Sequence, residues 1–378
     1  MSETYDCIVL GVGGFGSGAI YHLAKRGARV LGIERFGIAH DRGSSHGETR
    51  IIRKVYIEHP DYVPLVLRAY EMWDELGLEC GRTLRHQFGL LLAGLPDGEA
   101  IAGSKLATRL HGVAIEEVEL SEARRRFPGL RFPDDFAVAF DSDAGYLEVE
   151  NCVQAHIERA LDRGAVLQTG ETVLDWNARG NTVQVRTDKG QDEAARMIVT
   201  AGAWSGTILA DLSIPLSVVR KPVFWHEVTT RDYDASSGAP AVYFEWPDHT
   251  IYAFPCLDGK TIKVSEHTGG QPVSDPLALD RESHPADVQP VSDFLHRCLP
   301  GVRPQPSRHN MCMYTLTPDQ NFIIDRHPQH QNVVIGAGFS GHGFKFTTVL
   351  GEALADLCLD GQTKHPIEFL SIGRESLR

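Results

Sequence analysis

Long hydrophobic runs, paired cysteines and an excess of positive charge are all missing from this sequence of 378 residues. No segment approaches the ~20 consecutive apolar residues that a membrane-spanning helix needs, so we expect no membrane partner. The seven cysteines are odd in number and scattered, which argues against a disulfide framework and a zinc site. Acidic residues outnumber basic ones by 50 to 37, and the net charge of -13 disfavours a nucleic-acid partner.

Targeting segments are also missing. The first residues, from Met1 to Asp6, have no basic n-region, and the last three do not form a peroxisomal address. We therefore expect a cytoplasmic protein. Its length exceeds that of one ordinary core and predicts about two domains, and its 42% hydrophobic and 23% charged residues are typical of a globular protein.

What the sequence does contain is a dinucleotide-binding fingerprint at its start. A short apolar strand, residues 7–10, leads into three glycines spaced GxGxxG, which are Gly11, Gly13 and Gly16. A helix at 17–26 follows, and then a second strand at 30–33 that ends in the acid Glu34. The first glycine supplies a tight turn, the second lets the backbone approach a pyrophosphate, and the third lets the helix lie close to the strand. The helix N-terminus would hold the diphosphate, and the acid would accept hydrogen bonds from ribose hydroxyls. Glu34 disfavours the 2′-phosphate of NADP, whereas NAD and FAD both fit.

A polar loop and two arginines follow the fingerprint. The loop is Gly43-Ser44-Ser45-His46-Gly47, and Arg50 and Arg53 come after it. The two arginines are three residues apart, so on a helix they would share a face and could gather an anion. A solvated basic face explains them equally well.

The rest of the chain predicts two interleaved domains. Strands are predicted at 87–93, 136–140, 182–187 and 197–204, with helices up to Pro128 and the hairpin turn Asp188-Lys189-Gly190. A β-rich stretch follows, with strands at 224–229, 241–245, 250–254 and 261–265. The chain ends as it begins, with a strand at 332–338, a glycine-rich turn and a helix at 347–359. The cleft between two such domains is a natural place for a substrate.

Four motifs together resemble the monomeric sarcosine oxidase and N-methyltryptophan oxidase family. They are residues 11–16, 43–50, 312–315 and 338–346. The resemblance extends nearly end to end and implies FAD rather than NAD, attached through a thioether between Cys312 and the flavin 8α-methyl group. The implied fold is α/β (α+β two-domain). A Rossmann-like FAD-binding domain of residues 1–85, 147–214 and 315–378 would interleave with a β-rich substrate domain of residues 86–146 and 215–314.

The resemblance also assigns roles to site residues. Arg53 and Lys345 look like the pair that grips a substrate carboxylate, since a bidentate guanidinium plus an ammonium suits a small planar anion. Lys263 looks like the lysine near flavin N5 that promotes the reaction with O2, because a fixed positive charge favours electron transfer to oxygen. His267 and Tyr252 would flank the substrate amine. The other matching positions are Arg50 and Tyr314 in the catalytic set, Tyr243 beside the substrate, and Arg35, His46, Thr49, Val173, Gly341, Gly343 and Phe344 around the cofactor.

Two positions depart from the family pattern and could reshape the pocket. Ser45 stands where the first histidine of a Ser-His-His loop is usual, and Tyr243 stands where a small or aliphatic residue is usual.

The resemblance implies a monomeric flavoprotein oxidase with no metal. It would use O2 to oxidise a secondary, N-methyl amino acid such as sarcosine to an imine, which hydrolyses to an aldehyde and a primary amino acid, and it would release hydrogen peroxide. N-methyltryptophan, pipecolate and fructosyl amino acids stay open as substrates. So do a pyridine-nucleotide dehydrogenase and a flavin-binding module without activity.

Overall fold

The computed structural model of the chain describes residues 5–377. Within them, the strands of the first half are β1 (Tyr5–Leu10), β2 (Val30–Glu34), β3 (Thr49–Ile52), β4 (Arg85–Gln87), β5 (Leu90–Gly94), β6 (Glu116–Val118), β7 (Ala137–Asp141), β8 (Gly145–Glu148), β9 (Val166–Thr169) and β10 (Val173–Arg179). Those of the second half are β11 (Thr182–Thr187), β12 (Gln191–Val199), β13 (Ser217–Val228), β14 (Ala241–Glu245), β15 (Thr250–Phe254), β16 (Thr261–Glu266), β17 (Gln271–Pro272), β18 (Val302–Leu316), β19 (Ile323–Arg326) and β20 (Val333–Ala337).

The helices of the same residues are α1 (Gly14–Lys25), α2 (Tyr62–Cys80), α3 (Glu99–His111), α4 (Leu120–Arg126), α5 (Val149–Leu161), α6 (Ser205–Ile208), α7 (Pro285–Cys298) and α8 (Thr347–Asp360). Helix α1 is buried on nearly every side because it is packed against α5, α8 and the first sheet, which explains its largely apolar sequence. The predicted helices at 17–26 and 347–359 are confirmed: α1 begins three residues earlier and ends one residue earlier than predicted, and α8 ends one residue later.

The first sheet has the order β10-β11-β12-β1-β2-β9, and β20 and β19 continue it beside the second half of β12. Strands β20, β12, β1, β2 and β9 run parallel to one another. Alternate residues of β1 enter different cores: Cys7 and Val9 pack with the helices on one face, and Ile8 and Leu10 pack on the other. A strand covered on both faces must be apolar throughout, which is why β1 and β2 could be recognised from sequence.

The predicted hairpin is confirmed. Strands β11 and β12 pair antiparallel, and the amide of Thr187 donates to the Gly190 carbonyl at 2.9 Å across the turn. Every second residue of β11 is buried, as its alternating sequence predicts.

The second sheet has the order β17-β13-β16-β15-β14-β5-β7-β6, with β18 paired to β13. The predicted strands at 241–245 and 250–254 are confirmed at both ends. The prediction of one continuous strand at 87–93 is wrong. The strand is interrupted between β4 and β5 at Gly89, which has φ +84° and lies against Phe140. The expectation of helices alone up to Pro128 is also wrong, because β6 lies between α3 and α4.

The third sheet is small, with the order β3-β8-β4, and it corrects the expectation for the two arginines. Arg50 lies in β3 and Arg53 directly after it, so the pair does not share a helix face. Side chains three apart on extended chain point to opposite sides. Arg50 accordingly contacts Cys312, whereas Arg53 contacts Glu58.

The mixture of parallel and antiparallel sheets with covering helices confirms the predicted α/β (α+β) class. The first sheet takes its strands from residues 5–34, 166–199 and 323–337, and the second from 90–141 and 217–316. The domain boundaries at residues 85, 146, 214 and 314 stay a prediction.

None of the helices within residues 5–377 combines the length and the apolar character needed to cross a membrane. Over the same residues, no cluster of three or more His, Cys, Asp or Glu side chains is arranged to hold a metal ion.

Candidate active site

A cavity joins the first glycine-rich turn to the side chains of the second sheet. The predicted site residues that line it are Gly11, Gly13, Glu34, Arg35, Arg50, Arg53, Val173, Tyr243, Tyr252, His267, Tyr314, Gly341, Gly343, Phe344 and Lys345. The others, Gly16, His46, Thr49, Lys263 and Cys312, lie outside this lining in the described structure. His46 and Thr49 belong to the segment of residues 44–50, which forms part of the wall, and Lys263 and Cys312 contact that segment.

The three glycines of the first turn have different neighbours. A Cβ on Gly16 would lie 1.9 Å from the Gly11 carbonyl oxygen, and one on Gly11, which has φ +86°, would lie 2.7 Å from the Thr200 carbonyl oxygen. These two glycines are therefore required by the fold itself. A Cβ on Gly13 would meet only the Ser45 hydroxyl at 3.9 Å, so the missing side chain at Gly13 leaves room for a ligand.

The N-terminus of α1 is open for an anion. Gly13 caps the helix without a side chain that accepts its amides. Among residues 5–377, the Gly14 amide is the one amide of the first turn with a side-chain acceptor, the Ser45 hydroxyl at 3.1 Å. Unpaired amides and the helix dipole at such an end attract a phosphate.

Glu34 lies at the end of β2, as expected, and is 5% exposed. Its carboxylate accepts from the Val12 amide at 2.8 Å and the Phe36 amide at 2.9 Å, and it lies 3.2 Å from His40. Burial by itself would raise the pKa of Glu34, but the bonds from His40 and the backbone outweigh this and lower it. Two carboxylate oxygens have about four acceptor sites, so one is left for a ribose hydroxyl. Val173 and Arg35 line the neighbouring part of the cavity.

The turn between β20 and α8 repeats the pattern of the first. Gly338 and Gly341 have φ +64° and +81°, and Ser340 has φ 44° although it is not a glycine. A Cβ on Gly341 would lie 2.5 Å from the Tyr314 ring, so this turn lies flush against β18. The two glycine-rich turns lie side by side along one cavity: a Cβ on Gly14 would be 3.1 Å from the Phe344 ring, and one on Gly343 would be 3.2 Å from the Phe15 ring. Together with the acceptor on Glu34, they fit a dinucleotide that carries a second ring system, as FAD does.

Arg53 and Lys345 come together, as predicted. Both lie over the Tyr56 ring, the guanidinium carbon 4.6 Å and the ammonium 5.2 Å from its centroid. The structure adds a residue that sequence reasoning missed: Glu58 accepts two bonds from Arg53 Nη2, at 2.7 and 2.6 Å. Nothing in the sequence around Glu58 distinguishes it from a solvated surface acid.

The charges of this cluster depend on one another. Burial would lower the pKa of Arg53, but the Glu58 carboxylate outweighs it and raises that pKa. Burial would raise the pKa of Glu58, yet Arg53 holds it well below its usual value. Lys345 has no carboxylate partner of this kind in the described part of the chain, and it donates to the His342 carbonyl at 2.7 Å. Burial, followed by repulsion from Arg53, lowers the pKa of Lys345 to about 7.

An aromatic wall faces the two cations. Tyr243 and Tyr252 are directly opposite each other on β14 and β15, so their side chains emerge on the same face of the sheet. His267 Nδ1 lies 3.4 Å from the Tyr314 hydroxyl. Burial lowers the pKa of His267 to about 3, which keeps the ring neutral. Burial also raises the pKa of Tyr252 and Tyr314, so the wall carries no charge near neutral pH.

Lys263 lies one layer behind the cavity wall. Its ammonium donates to the Gly47 carbonyl at 2.7 Å and to the carbonyl and hydroxyl of Thr49 at 2.7 and 2.9 Å. It also lies 4.8 Å from the Phe254 ring centroid. Burial, with repulsion from Arg50 next, lowers the pKa of Lys263 well below its ordinary value, while Glu48 opposes the shift.

Cys312 is 2% exposed and lies beside two residues of the cavity wall. Its sulfur is 3.5 Å from Arg50 Nη2 and 3.5 Å from the Ser44 carbonyl oxygen. His46 is buried nearby, and neither of its ring nitrogens has a hydrogen-bond partner among the described residues. Burial, then repulsion from Arg50, lowers the pKa of His46 to about 3.

Comparisons with known proteins agree with this geometry. The FAD dependent oxidoreductase family matches residues 6–357. The monomeric sarcosine oxidase of Streptomyces avermitilis is 39% identical over 97% of this chain and 97% of its own length. The N-methyl-L-tryptophan oxidase of Yersinia pestis is 34% identical over 98% of this chain and 99% of its own. The open form of NikD, an unusual amino acid oxidase essential for nikkomycin biosynthesis, superposes with a TM-score of 0.87 at 26% identity, covering 98% of each chain.

Proposed function

The chain belongs to the FAD dependent oxidoreductase family, and from that premise we propose that it oxidises the carbon–nitrogen bond of a secondary amino acid, with sarcosine as the first candidate. The observation that carries the proposal is the cavity itself, which is lined both by Gly11 and Gly13 of the first glycine-rich turn and by Arg53 and Lys345. A cofactor and a carboxylated substrate can therefore share one space. The family membership removes the pyridine-nucleotide alternative.

The chain's own residues would hold FAD along the whole cavity. The α1 N-terminus would take the diphosphate, Glu34 the ribose, and the turn at Gly341 and Gly343 the flavin end. We propose that Cys312 forms a thioether with the flavin 8α-methyl group; the contact of its sulfur with Arg50 of the wall supports this. When bound, FAD supplies the acceptor for two electrons from the amine and passes them to O2, which leaves as hydrogen peroxide.

Arg53 and Lys345 would bind the substrate carboxylate. Lys345 has hydrogens to spare, because the bond to the His342 carbonyl is the one that its ammonium makes to the described residues. Arg53 is already neutralised by Glu58, so an incoming carboxylate must share its guanidinium or displace that partner. An anion beside Lys345 also favours the protonated lysine.

The aromatic wall would orient the amine in its neutral form. A protonated amine has no lone pair to help expel a hydride equivalent, and a pocket that contains Arg50, Arg53 and Lys345 disfavours a further positive charge. His267, which is neutral, can accept a hydrogen bond where a charged imidazole would repel. The bulky Tyr243 side chain would narrow the cavity beside the carboxylate site and so favour a small substrate.

Lys263 would place a positive charge behind the flavin end of the cavity. Its three bonds to Gly47 and Thr49 fix that charge in place. A charge fixed beforehand stabilises the negative charge that develops on O2 as it accepts an electron. We propose that the enzyme acts as a monomer on the amino acid and O2; a cytoplasmic location stays a prediction.

A peroxide-coupled screen tests this function. We expect the holoenzyme to release peroxide from sarcosine, with N-methyl-L-tryptophan, L-pipecolate and a fructosyl amino acid as rival substrates and glycine as the primary-amine control. Absence of peroxide with every secondary amino acid would overturn the proposal, and preference for a rival would replace sarcosine.

The attachment is tested separately with Cys312→Ser. We expect the unaltered protein to keep its flavin through acid precipitation and to fluoresce on a denaturing gel, and the variant to lose both properties. Flavin retained by the variant would place the link elsewhere. Cys152→Ser is the matched control, since Cys152 is equally buried but lies in α5.

A further inference from the structure

Lys221 is a buried lysine that the proposed chemistry does not use. It lies in β13 and is 2% exposed. Among the described residues it forms no ion pair, and its ammonium instead donates to the Thr268 carbonyl at 2.6 Å and to the Gly269 carbonyl at 3.3 Å. Burying a charge without a carboxylate partner costs free energy, so a lysine kept in such a place calls for an explanation.

The carbonyls that hold Lys221 belong to the turn directly after His267. This turn, residues 267–270, is also attached to β15, because the His267 amide donates to the Thr250 carbonyl at 2.7 Å. At its other end Gly270, with φ +117°, lies directly on β13: a Cβ there would be 2.9 Å from the Arg220 carbonyl oxygen and 3.2 Å from Lys221 Cδ. The Thr250 amide also donates to the Thr268 hydroxyl at 2.9 Å. The lysine thus fastens the middle of a turn that is otherwise held to β15 at Thr250 and to β13 at Gly270.

The same ammonium contacts the other half of the aromatic wall. Lys221 is paired with Cys312 across β13 and β18, and Tyr314, two residues further along, is on the same face. The ammonium lies 5.3 Å from the centroid of the Tyr314 ring. An ammonium over an aromatic face is attracted by the ring quadrupole. Lys221 therefore contacts Tyr314 and the turn that follows His267, and these two wall residues meet at His267 Nδ1 and Tyr314 Oη.

We infer that Lys221 is a positioning residue: as an ammonium it ties the 267–270 turn to the Tyr314 ring and so keeps His267 and Tyr314 in place against the substrate amine. The inference rests on the proposed function for its link to substrate, but the anchoring itself does not depend on which substrate is used.

The anchoring is sensitive to pH. Burial lowers the pKa of Lys221 to about 8, with Glu266 and Cys312 opposing the shift. The titratable groups that face the ammonium are Glu266 and His267 from β16 and its turn, and Cys312 and Tyr314 from β18. On its own strand, Arg220 is turned away and paired with Asp287 at 2.7 Å. Below about pH 8 the charged anchor is present, and it is lost as the pH rises through that value.

Hydrogen exchange of the peptide that contains residues 266–272 tests the anchor without any substrate. In Lys221→Met, which keeps the side-chain length, we expect this peptide of the holoenzyme to exchange about tenfold faster than in the unaltered protein near pH 7. The difference should shrink towards none near pH 9.5, because the unaltered lysine has by then lost its proton. Equal exchange near pH 7, or a difference that stays constant over this range, would overturn the inference.

Two further variants separate charge from packing. Lys25→Met is the matched control, since Lys25 also lies over a tyrosine ring, at 5.2 Å, but far from the turn, and it should change nothing in this peptide. Lys221→Gln keeps a donor without the charge, and it should exchange faster than the unaltered protein with no dependence on pH beyond the intrinsic one. It also takes the place of Lys221→Met if the methionine variant does not fold. A slow, pH-dependent exchange in Lys221→Gln would contradict a role for the charge.

Steady-state kinetics then connect the anchor to the substrate. With sarcosine we expect KM of Lys221→Met to be about fivefold to tenfold higher near pH 7 while kcat changes less than about twofold, because the reacting groups are intact. The ratio of the two KM values should approach one near pH 9.5, and the ionisation of sarcosine cancels in that ratio. An equal fall in kcat with no change in KM would contradict the positioning role. If the unaltered protein oxidises no secondary amino acid, the proposed function fails while the exchange measurement still decides the anchor.

Discussion

Arg53 and Glu58 show how much of the site depends on a single pair. Their bond is bidentate, the Arg53 side chain is 5% exposed, and each residue sets the charge of the other. Truncating one partner of a buried charge pair leaves the other charge unpaired, which costs about 2–5 kcal/mol. The two residues should therefore behave oppositely towards a substrate carboxylate.

Substitution of the pair tests this opposition. In Arg53→Ala the cation is lost and an unpaired Glu58 repels the carboxylate, so we expect KM for sarcosine to rise by about 100-fold or more, the equivalent of roughly 3 kcal/mol. In Glu58→Gln the guanidinium is released, and KM should fall severalfold while the melting temperature also falls. Steady-state kinetics and thermal unfolding measure both effects. A rise of KM in Glu58→Gln would show that Glu58 helps Arg53 to bind the substrate carboxylate and does not compete with that carboxylate for the guanidinium.

Lys345 predicts how anion binding depends on pH. Its pKa, lowered by burial to about 7, means that the free enzyme carries the ammonium below this value and loses it above. Acetate has a carboxylate and no amine, so its affinity should be constant between about pH 6 and 7, where it is fully ionised, and fall by up to about tenfold per unit above pH 7. The dissociation constant, read from the change in flavin absorbance on titration, gives the profile. Lys345→Met should bind acetate weakly with a flat profile, and a profile in the variant like that of the unaltered protein would reject Lys345 as the titrating group.

Lys263 separates the two halves of the reaction. It lies behind the wall that faces the substrate, so Lys263→Met should leave anaerobic reduction of the flavin within about twofold of the unaltered rate. Reoxidation by O2 should slow by about 100-fold or more, on the scale of losing one preorganised electrostatic group. Stopped-flow absorbance follows each half-reaction separately. Comparable losses in both would show that Lys263 supports the site as a whole.

At the scale of elements, the glycines of the turn between β1 and α1 have different roles. The fold requires Gly16, where a Cβ would lie 1.9 Å from the Gly11 carbonyl oxygen, whereas Gly13 faces open space. We expect Gly13→Ala to fold with an apoprotein melting temperature near that of the unaltered chain but to bind FAD at least about tenfold more weakly, because the methyl group occupies the approach to the diphosphate.

Gly16→Ala is the contrasting variant. Its methyl group meets backbone within the turn, so we expect the apoprotein to lose about 3 kcal/mol or more of unfolding free energy. Thermal unfolding of the apoproteins and FAD titration measure both variants. A destabilised Gly13→Ala with normal FAD affinity would reverse these assignments.

The elements also show what sequence could and could not predict. Strands such as β1, β2, β14 and β15 have a strong apolar or alternating pattern, which predicts them. Both glycine-rich turns also predict the strand before them and the helix after them. The break at Gly89 escaped prediction because it depends on Phe140, about fifty residues away, which occupies the space of a side chain. Local patterns carry no information about such distant neighbours.

The same limit applies to the site. The resemblance predicted Arg53 and Lys345, which come together over the Tyr56 ring. The roles of Glu58 and Lys221 were missed. These roles depend on burial and on partners elsewhere in the fold, and a sequence pattern shows neither. Arg50 and Arg53 would share a face only on a helix, and spacing by three is equally compatible with extended chain; pairing of β3 with β8 decides for the strand.

At the scale of the whole molecule, the cavity between the nucleotide turns and the second sheet explains why the charges are buried where they are. The surface is acidic, with a net charge of -13, yet Arg50, Arg53, Lys263 and Lys345 are gathered around this one space. A few cations in a low-dielectric cleft outweigh a distant surface charge for a bound anion. The molecule therefore favours a carboxylated substrate without being basic overall.

Anaerobic mixing of the holoenzyme with substrate tests the central claim most directly. If FAD and a carboxylate clamp share this cavity, sarcosine should bleach the flavin absorbance near 450 nm, and dimethylamine, the same secondary amine without a carboxylate, should leave it almost unchanged. Equal bleaching by both amines, or no bleaching by any secondary amino acid, would contradict the account.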